Sequence, residues 1–280
     1  MTLTTNGCAT VPTEEHCSKD RTVRLIEKQT ANFPELWSAV HVVGNERSLF
    51  PGLLSRAKCW QAKDLYSADF VLFTGGFADV SPELYGEKRH LTTNPDPEED
   101  VRDILVFQEA VALGIPMVGV CRGAQFGSVM NGGKLYQHVD QHNKNHEIFI
   151  RGANTYIKNV SSSHHQMCRF NEEGGMQVIA EAYEATGKWL NNIDYQSGYT
   201  DFDIEAFWYP ETAFLGVQGH PEYSGYEEYS LFFIQLIEEY LTTNPQLEMY
   251  NGLNRVPRST IDNRKWKEPE TVAKFIREHS

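Results

Sequence analysis

Short apolar runs that end at turn residues recur along the chain and predict buried strands. Residues 69–74 read DFVLFT and stop at two glycines, and residues 116–120 read PMVGV. Apolar runs without alternation are typical of parallel strands that are covered on both faces. Apolar residues at helical spacing over 100–113, and helix-compatible residues over 122–130, alternate with these strands. The pattern predicts an α/β fold with a mostly parallel central sheet flanked by helices.

The second half of the chain is richer in strand patterns and closes with a helix. Apolar residues at helical spacing predict an amphipathic helix over 226–241. Five short strands are predicted before it, over residues 146–150, 155–160, 176–180, 204–208 and 214–218.

The same patterns divide the chain into a leader, one domain and an extension. Residues 1–21 lack periodicity and are expected to be a loosely ordered leader. The domain is expected over 22–241 and begins with a strand at 22–27, which reads TVRLIE. Residues 242–280 form a polar extension with a helix predicted over 268–278.

Composition narrows the class of protein. A chain of 280 residues with 40% hydrophobic and 22% charged residues is typical of a soluble globular protein. Its formal net charge of −13 argues against nucleic-acid binding, and the sequence has no apolar run long enough for a membrane span or a secretory signal. An odd number of cysteines, 5, at irregular spacing favours a reducing, cytoplasmic location over a disulfide framework.

Cys121 occupies the turn between a predicted buried strand and a predicted helix, within the sequence GVCRGAQ. Such a turn exposes the sulfur, and the helix N-terminus stabilises a thiolate. Gly119 and Gly123 permit a close approach that side chains would block. The alternative is a buried structural cysteine.

His220 and Glu222 follow another predicted strand, in the sequence GVQGHPE. A thiolate nucleophile needs a base, and the base needs an orienting group. We therefore expect His220 to transfer the proton and Glu222 to hold the imidazole. Gly76 also follows a strand end, and its N–H together with that of Arg122 is expected to form an oxyanion hole. A simple tight turn is the alternative for Gly76.

The chain resembles the class I glutamine amidotransferase-like superfamily, and within it the γ-glutamyl hydrolases that act on γ-glutamyl-γ-aminobutyrate. The resemblance covers roughly residues 68–241 and rests on four stretches: FTGGFADVSPELYGE at 73–87, DVRD at 100–103 with VGVCRGAQFGSVMNGGKLYQ at 118–137, SSSHHQM at 161–167, and GVQGHPEY at 216–223. It implies a flavodoxin-like fold, a Cys-His-Glu triad and no metal or organic cofactor.

The resemblance also implies where a glutamyl substrate binds. Gln125 would hold the glutamyl head group, with Ser163, His164 and His165 near its α-amino or α-carboxylate end. Two features depart from the family pattern. Gly219 stands where relatives usually carry a bulky aromatic residue, which is expected to widen the pocket or shift specificity. Residues 182–203 form a longer, more aromatic connection, expected to be a lid or a partner surface.

Two further patterns have competing interpretations. His138, His142 and His146 recur every four residues and resemble a metal site on a helix, but the family continues here as a loop and strand, so no metal site is predicted. The acidic run 96–103 is read as a solvated helix start rather than a cation site. Arg102 and Asp103 are an exception that the resemblance suggests could support the active site.

The sequence thus predicts a cysteine hydrolase that cleaves a small-molecule γ-glutamyl amide through a thioester on Cys121. A glutaminase subunit that supplies ammonia to a synthetase or amidoligase on another chain uses the same residues. A catalytically silent binding protein of the same fold is the third alternative. The sequence does not distinguish the leaving group or the oligomeric state.

Overall fold

A computed structural model describes residues 33–185, 187–192, 195–197, 202–242 and 270–279. The described strands are, in chain order, β1 (Ala39–Val43), β2 (Trp60–Gln61), β3 (Phe70–Phe73), β4 (Met117–Val120), β5 (Leu135–Tyr136), β6 (His138–Val139), β7 (His146–Ile150), β8 (Thr155–Val160), β9 (Met167–Cys168), β10 (Gln177–Ala182), β11 (Gly187–Trp189), β12 (Tyr195–Ser197), β13 (Asp203–Tyr209) and β14 (Phe214–Val217).

The described α-helices are α1 (Pro51–Arg56), α2 (Pro97–Leu113), α3 (Arg122–Met130), α4 (Glu227–Ile237) and α5 (Glu270–His279). Short 3-10 helices lie at Arg47–Leu49, Leu65–Ser67 and Pro82–Tyr85, and α4 continues as a π-helix over Glu238–Thr242. Strands and helices alternate through the first half of the chain, so the predicted α/β fold is confirmed.

Nine of the described strands form a central sheet in the order β2-β1-β3-β4-β14-β13-β10-β7-β8. The first five strands in this order pair in parallel. The remaining four extend the sheet by antiparallel pairing. The carboxyl ends of β3, β4 and β14 therefore meet at one edge of the parallel half, where open α/β sheets bind ligands.

Helices cover both faces of the sheet because alternate strand residues point to opposite sides. One hydrophobic cluster joins Leu72, Val120 and Val217 to α1 and α4. A second cluster joins Phe73, Met117 and Phe214 to α2, α3 and α5. Both faces of the parallel strands are buried, which explains their uninterrupted apolar sequences.

Most predicted elements of the domain are present with small shifts at their ends. α2 begins at Pro97, three residues earlier than predicted, because the Asp96 side chain accepts the backbone N–H groups of Glu98 and Glu99 as an N-cap. The predicted terminal helix corresponds to α5. The strand predicted at 22–27 and the leader lie outside the described residues.

The first strand of the described sheet, β1, was not predicted. His41 interrupts its sequence AVHVV, and the apolar run is no longer than many loop segments. It becomes a strand because β2 and β3 pair with it on either side. Sequence periodicity does not report such long-range pairing.

Candidate active site

Cys121 lies between β4 and α3, as predicted. Its backbone has φ 51° and ψ −111°, a conformation that costs free energy for a residue with a Cβ. The Cys121 N–H donates to the Val217 carbonyl at 2.8 Å, which ties the turn to β14. A strained, tethered turn of this kind fixes the direction of the sulfur at the strand end.

Gly119 and Gly123 allow α3 to pack directly on the sheet. A Cβ on Gly119 would lie 2.4 Å from the carbonyl of Gly123, and a Cβ on Gly123 would lie 2.3 Å from the carbonyl oxygen of Phe73. Both distances are well below van der Waals contact. The glycine on each side of the cysteine is therefore a steric requirement of the turn, which supports the interpretation from sequence.

His220 and Glu222 lie just beyond β14. Nδ1 of His220 is 2.7 Å from Oε1 of Glu222, and both side chains are buried. The backbone N–H of His220 donates to Ser161 Oγ at 2.9 Å, and the Ser161 hydroxyl donates to the backbone carbonyl of His220 at 2.8 Å. Tyr223 stacks on the imidazole with ring centroids 4.5 Å apart. The imidazole is thus fixed on one edge and one face.

The electrostatics of His220 favour an imidazolium. Burial would lower the pKa of this side chain, but the Cys121 sulfur and the Glu222 carboxylate outweigh burial and raise the pKa to about 11. The arrangement brings Cys121, His220 and Glu222 together as a chain of nucleophile, imidazole and carboxylate. Such a chain can form a thiolate–imidazolium pair.

Gly76 and Arg122, predicted to share an oxyanion hole, are neighbours. A Cβ on Gly76 would lie 3.2 Å from Cδ of Arg122. The two residues follow β3 and β4, whose carboxyl ends lie side by side. The structure thus places the two residues side by side, and the shared oxyanion hole stays a prediction.

The Arg122 side chain points away from solvent into three carboxylates of α2. Its guanidinium donates to Asp103 Oδ2 at 2.6 Å and to Asp100 Oδ1 at 2.7 Å, and Glu99 Oε1 lies 3.8 Å away. All four side chains are buried. Asp100 also accepts the Ser81 N–H at 3.0 Å. These contacts lock the start of α3, and with it Cys121, to α2.

The interpretation of the acidic run 96–103 as a solvated helix start is therefore wrong for three of its members. Asp96 caps α2, and Glu98 is exposed, but Glu99, Asp100 and Asp103 face Arg122. These three acids are buried because they pair with the buried Arg122. The sequence does not show this pairing, because Arg122 lies on the next helix, 19 residues after Asp103. The suggested support of the site by Asp103 agrees with these contacts, whereas the Arg102 side chain is exposed.

Glu46 was not identified from the sequence. Its Oε2 lies 2.4 Å from the position that a Cβ on Gly75 would take, and His220 Cε1 lies 3.0 Å from the same point. Burial raises the pKa of the Glu46 carboxyl, and His220 lowers it in part. Gly75 thus leaves room for a second carboxylate beside the imidazole. No motif marks Glu46, because it reaches the site from the loop after β1.

The four predicted substrate-binding residues differ in burial and in their contacts. Gln125 is buried and donates from Nε2 to the Gln166 carbonyl at 2.8 Å. Ser163 is exposed and contacts Tyr223. His164 is buried, with Nδ1 2.8 Å from the Gln166 carbonyl. His165 is half-exposed, with Nε2 3.1 Å from Asp79 Oδ1.

Gly219 does not widen the site. A Cβ there would lie 2.7 Å from Val160 Cγ1, 2.8 Å from the Ser161 carbonyl oxygen and 2.9 Å from Tyr229 Cε1. These groups occupy the volume into which a larger side chain at 219 would extend. The expectation of a wider pocket is wrong at this position, because the ring of Tyr229 packs where space was expected.

Part of the long connection 182–203 is described. β11 pairs with β12 and β6 in a small three-stranded sheet. Leu91 donates its N–H to Asn192 Oδ1 at 2.6 Å, and Val139 of β6 donates its N–H to the His165 carbonyl at 2.8 Å. The connection therefore packs beside the segment that carries His165.

Comparison with known proteins places the chain in a family. The model of the Peptidase C26 family matches residues 50–222, and the chain belongs to this family. The match spans Cys121, His220 and Glu222. Members of this class are glutamine amidotransferase-like enzymes, which agrees with the resemblance seen in the sequence.

Three curated relatives support the assignment. The glutamine amidotransferase-like protein YvdE of Lactococcus lactis is 31% identical over 169 residues, 55% of this chain and 66% of that protein. The Rv2859c protein of Mycobacterium tuberculosis, provisionally named a glutamine amidotransferase, is 28% identical over 57% of this chain and 52% of its own length. The γ-glutamyl-γ-aminobutyrate hydrolase PuuD of Escherichia coli is 28% identical over 62% of this chain and 71% of its own.

The chain thus matches 66% of the length of the first of these relatives and 52% of the length of the second. Within the described residues, no helix is long and apolar enough to cross a membrane.

Proposed function

We propose that the chain hydrolyses a γ-glutamyl amide through a γ-glutamyl thioester on Cys121. The observation that carries the proposal is the chain of contacts from Cys121 through His220 to Glu222. It supplies a nucleophile, a proton carrier and an orienting carboxylate at one strand edge. The family supports an enzyme of this type.

The steps follow from the positions of these groups. The Cys121 thiolate attacks the γ-carbonyl, and the carbonyl electrons move to its oxygen, which the backbone N–H groups of Gly76 and Arg122 stabilise. The His220 imidazolium gives its proton to the leaving nitrogen as the C–N bond breaks. Water then attacks the thioester, His220 accepts a proton from it, and glutamate leaves as the thiolate re-forms.

The residues around the triad fit a glutamyl head group. Gln125 would hold the glutamyl head group, and Ser163, His164 and His165 would lie near its α-amino or α-carboxylate end. The half-exposed His165 and the exposed Ser163 lie toward solvent, whereas Gln125 and His164 are buried.

A glutaminase subunit that delivers ammonia to a partner chain is the second candidate. Relatives of this chain carry glutamine amidotransferase names, which favours glutamine as a substrate. The triad chemistry is the same, and only the leaving group and the fate of the ammonia differ. A silent binding protein is the remaining alternative, and the three intact triad residues argue against it.

A substrate panel separates these candidates. Purified protein is assayed with glutamine and with a series of γ-glutamyl amines, and Cys121→Ala is the control. Turnover of the amines in preference to glutamine supports the stand-alone hydrolase. Turnover of glutamine alone, stimulated by a co-purified partner, supports the subunit. Absence of turnover with every substrate and partner contradicts both enzyme functions.

A further inference from the structure

Four buried ionisable side chains form a cluster that takes no part in the proposed reaction. His142 precedes β7, His146 is its first residue, and Asp203 and Glu205 lie on β13. Their side chains are at most 2% exposed. Buried charged groups need an ion-pair partner, a hydrogen bond or a metal ion, so the atoms that face one another show which ligand the cluster could bind.

Three donor atoms in this cluster converge on one point. His146 Nε2 lies 3.1 Å from Glu205 Oε1, and His142 Nδ1 lies 3.7 Å from the same oxygen. All three ligand atoms lie within 4.8 Å of one another. Tetrahedral zinc with bonds of about 2.0–2.2 Å holds its ligands roughly 3.3–3.5 Å apart. The two short distances observed lie on either side of that value.

The outer ring nitrogens already have acceptors. His142 Nε2 lies 3.0 Å from Asp203 Oδ2, and His146 Nδ1 lies 3.5 Å from the Lys144 carbonyl. An imidazole that donates its outer N–H to a carboxylate or carbonyl presents a lone pair on its inner nitrogen. This arrangement is the one that orients metal-binding histidines in proteins.

Among the inner atoms, His142 Nδ1 has one long contact, 3.5 Å to Ser162 Oγ, and the others lack hydrogen bonds. His146 Nε2 and both carboxylate oxygens of Glu205 are buried and make none. The ion pair between them is close in distance but does not have the geometry of a hydrogen bond. One cation placed between the two imidazoles and the carboxylate would satisfy all three groups at once.

We propose that His142, His146 and Glu205 form a buried binding site for a divalent transition-metal ion such as Zn²⁺. Two neutral imidazoles and a carboxylate suit Zn²⁺ or Co²⁺ better than Mg²⁺ or Ca²⁺, which prefer oxygen ligands. The ion would join the loop before β7 to β13, beneath the segment that holds His220 through Ser161. Its role would be structural, because none of the three ligands acts in the proposed reaction, although His142 packs on His164 with ring centroids 4.8 Å apart.

The first test measures metal bound by the intact protein. Cys121→Ser protein is loaded with Zn²⁺ or Co²⁺, dialysed, and analysed by elemental mass spectrometry and visible absorption. The serine excludes cobalt–sulfur bonding at the nucleophile. We expect one retained equivalent per chain and the intense visible bands of four-coordinate Co²⁺. Loaded Zn²⁺ should raise Tm by roughly 5–10 °C at saturation.

Matched variants locate the ion. Glu205→Gln should lose the retained metal, whereas His138→Ala should keep it, since the ring of His138 packs against Trp189 instead, with ring centroids 5.0 Å apart. Within the described residues the other group of donors at metal-binding distance is Glu46, His220 and Glu222. Loss of metal in Glu46→Gln with retention in Glu205→Gln would overturn the proposal.

The measurement on Cys121→Ser protein stands by itself if Glu205→Gln does not fold. Absence of retained metal and of four-coordinate Co²⁺ bands in the loaded Cys121→Ser protein would overturn the proposal by itself. The metal measurements need no enzymatic turnover, so they are independent of the proposed hydrolysis.

Discussion

The Nδ1 atom of His220 lies 2.7 Å from Oε1 of Glu222, and both side chains are buried, so the carboxylate favours the protonated ring. The Cys121 sulfur and the Glu222 carboxylate together raise the pKa of His220 far above the ordinary value of 6.5, whereas burial alone would lower it. The imidazolium therefore persists at neutral pH and loses its proton only as the pH rises through the raised pKa.

Removing the Glu222 charge should move this titration to lower pH. In Glu222→Gln the ring keeps a hydrogen-bonding neighbour but loses an anion, so the imidazolium is less stable. The measurement is an NMR titration of histidine-labelled protein, with His220→Asn used to assign the resonance. An unchanged His220 titration in Glu222→Gln would show that the carboxylate does not control the ring.

Gly219→Ala should destabilise the protein, although replacing glycine by alanine stabilises a protein where the backbone and the surrounding space allow it. The added methyl would meet Val160, Ser161 and Tyr229 at less than 3 Å. Overpacking of this kind costs about 1–3 kcal/mol. Urea unfolding measures it, and Gly219→Ala combined with Val160→Ala should recover part of the loss. A stabilised single variant would mean that the position is open after all.

Arg122→Met should destabilise the fold and slow any reaction at Cys121. Its guanidinium is the cation that Asp100 and Asp103 share, and removing it leaves buried carboxylates without a partner. The expected loss in free energy of unfolding is about 3–5 kcal/mol. Arg122→Lys should restore only part of it, since one ammonium cannot replace the two-pronged contact. If Arg122→Met and Arg122→Lys were both as stable as the wild type, Arg122 would not be the cation that stabilises these buried carboxylates.

Asp203→Asn should lower stability most at neutral pH. Asp203 accepts the Glu184 and Ala185 N–H groups at 2.8 Å and pairs with Lys188 at 2.8 Å. Burial would raise the pKa of this carboxyl, but His142 and Lys188 hold it well below the usual range. Its contribution is present above the unfolded pKa of about 3.9 and is lost as pH falls through the lower folded value.

The difference in unfolding free energy between wild type and Asp203→Asn should therefore shrink as the pH is lowered from 7 toward 3. Urea unfolding at successive pH values checks this. A difference that grows on acidification would reverse the assigned sign and refute the ion-pair interpretation.

The elements that carry the site could be predicted because their information is local. The apolar runs of β3, β4 and β14 each end at a turn that carries residues of the proposed site, so Gly76, Cys121 and His220 are predicted from the same kind of local pattern. The glycines around Cys121 and the acid after Pro221 are likewise visible within a few residues.

What could not be predicted depends on pairing between distant segments. β1 forms because β2 and β3 flank it, and Glu46 reaches His220 from the loop that β1 positions. The acids of α2 are buried because Arg122, from the next helix, points into them. The spacing of His142 and His146 resembles a helical repeat with His138, whereas in the structure both face Glu205 from β13, far along the chain.

The most direct test of the central proposal is the intact mass of the protein quenched in acid during turnover of glutamine or a γ-glutamyl amine. We predict a mass increase equal to one γ-glutamyl group, located on Cys121 by peptide analysis and absent in Cys121→Ala. A wild-type protein that turns substrate over with no adduct at Cys121, or with the same adduct in Cys121→Ala, would contradict the proposed mechanism.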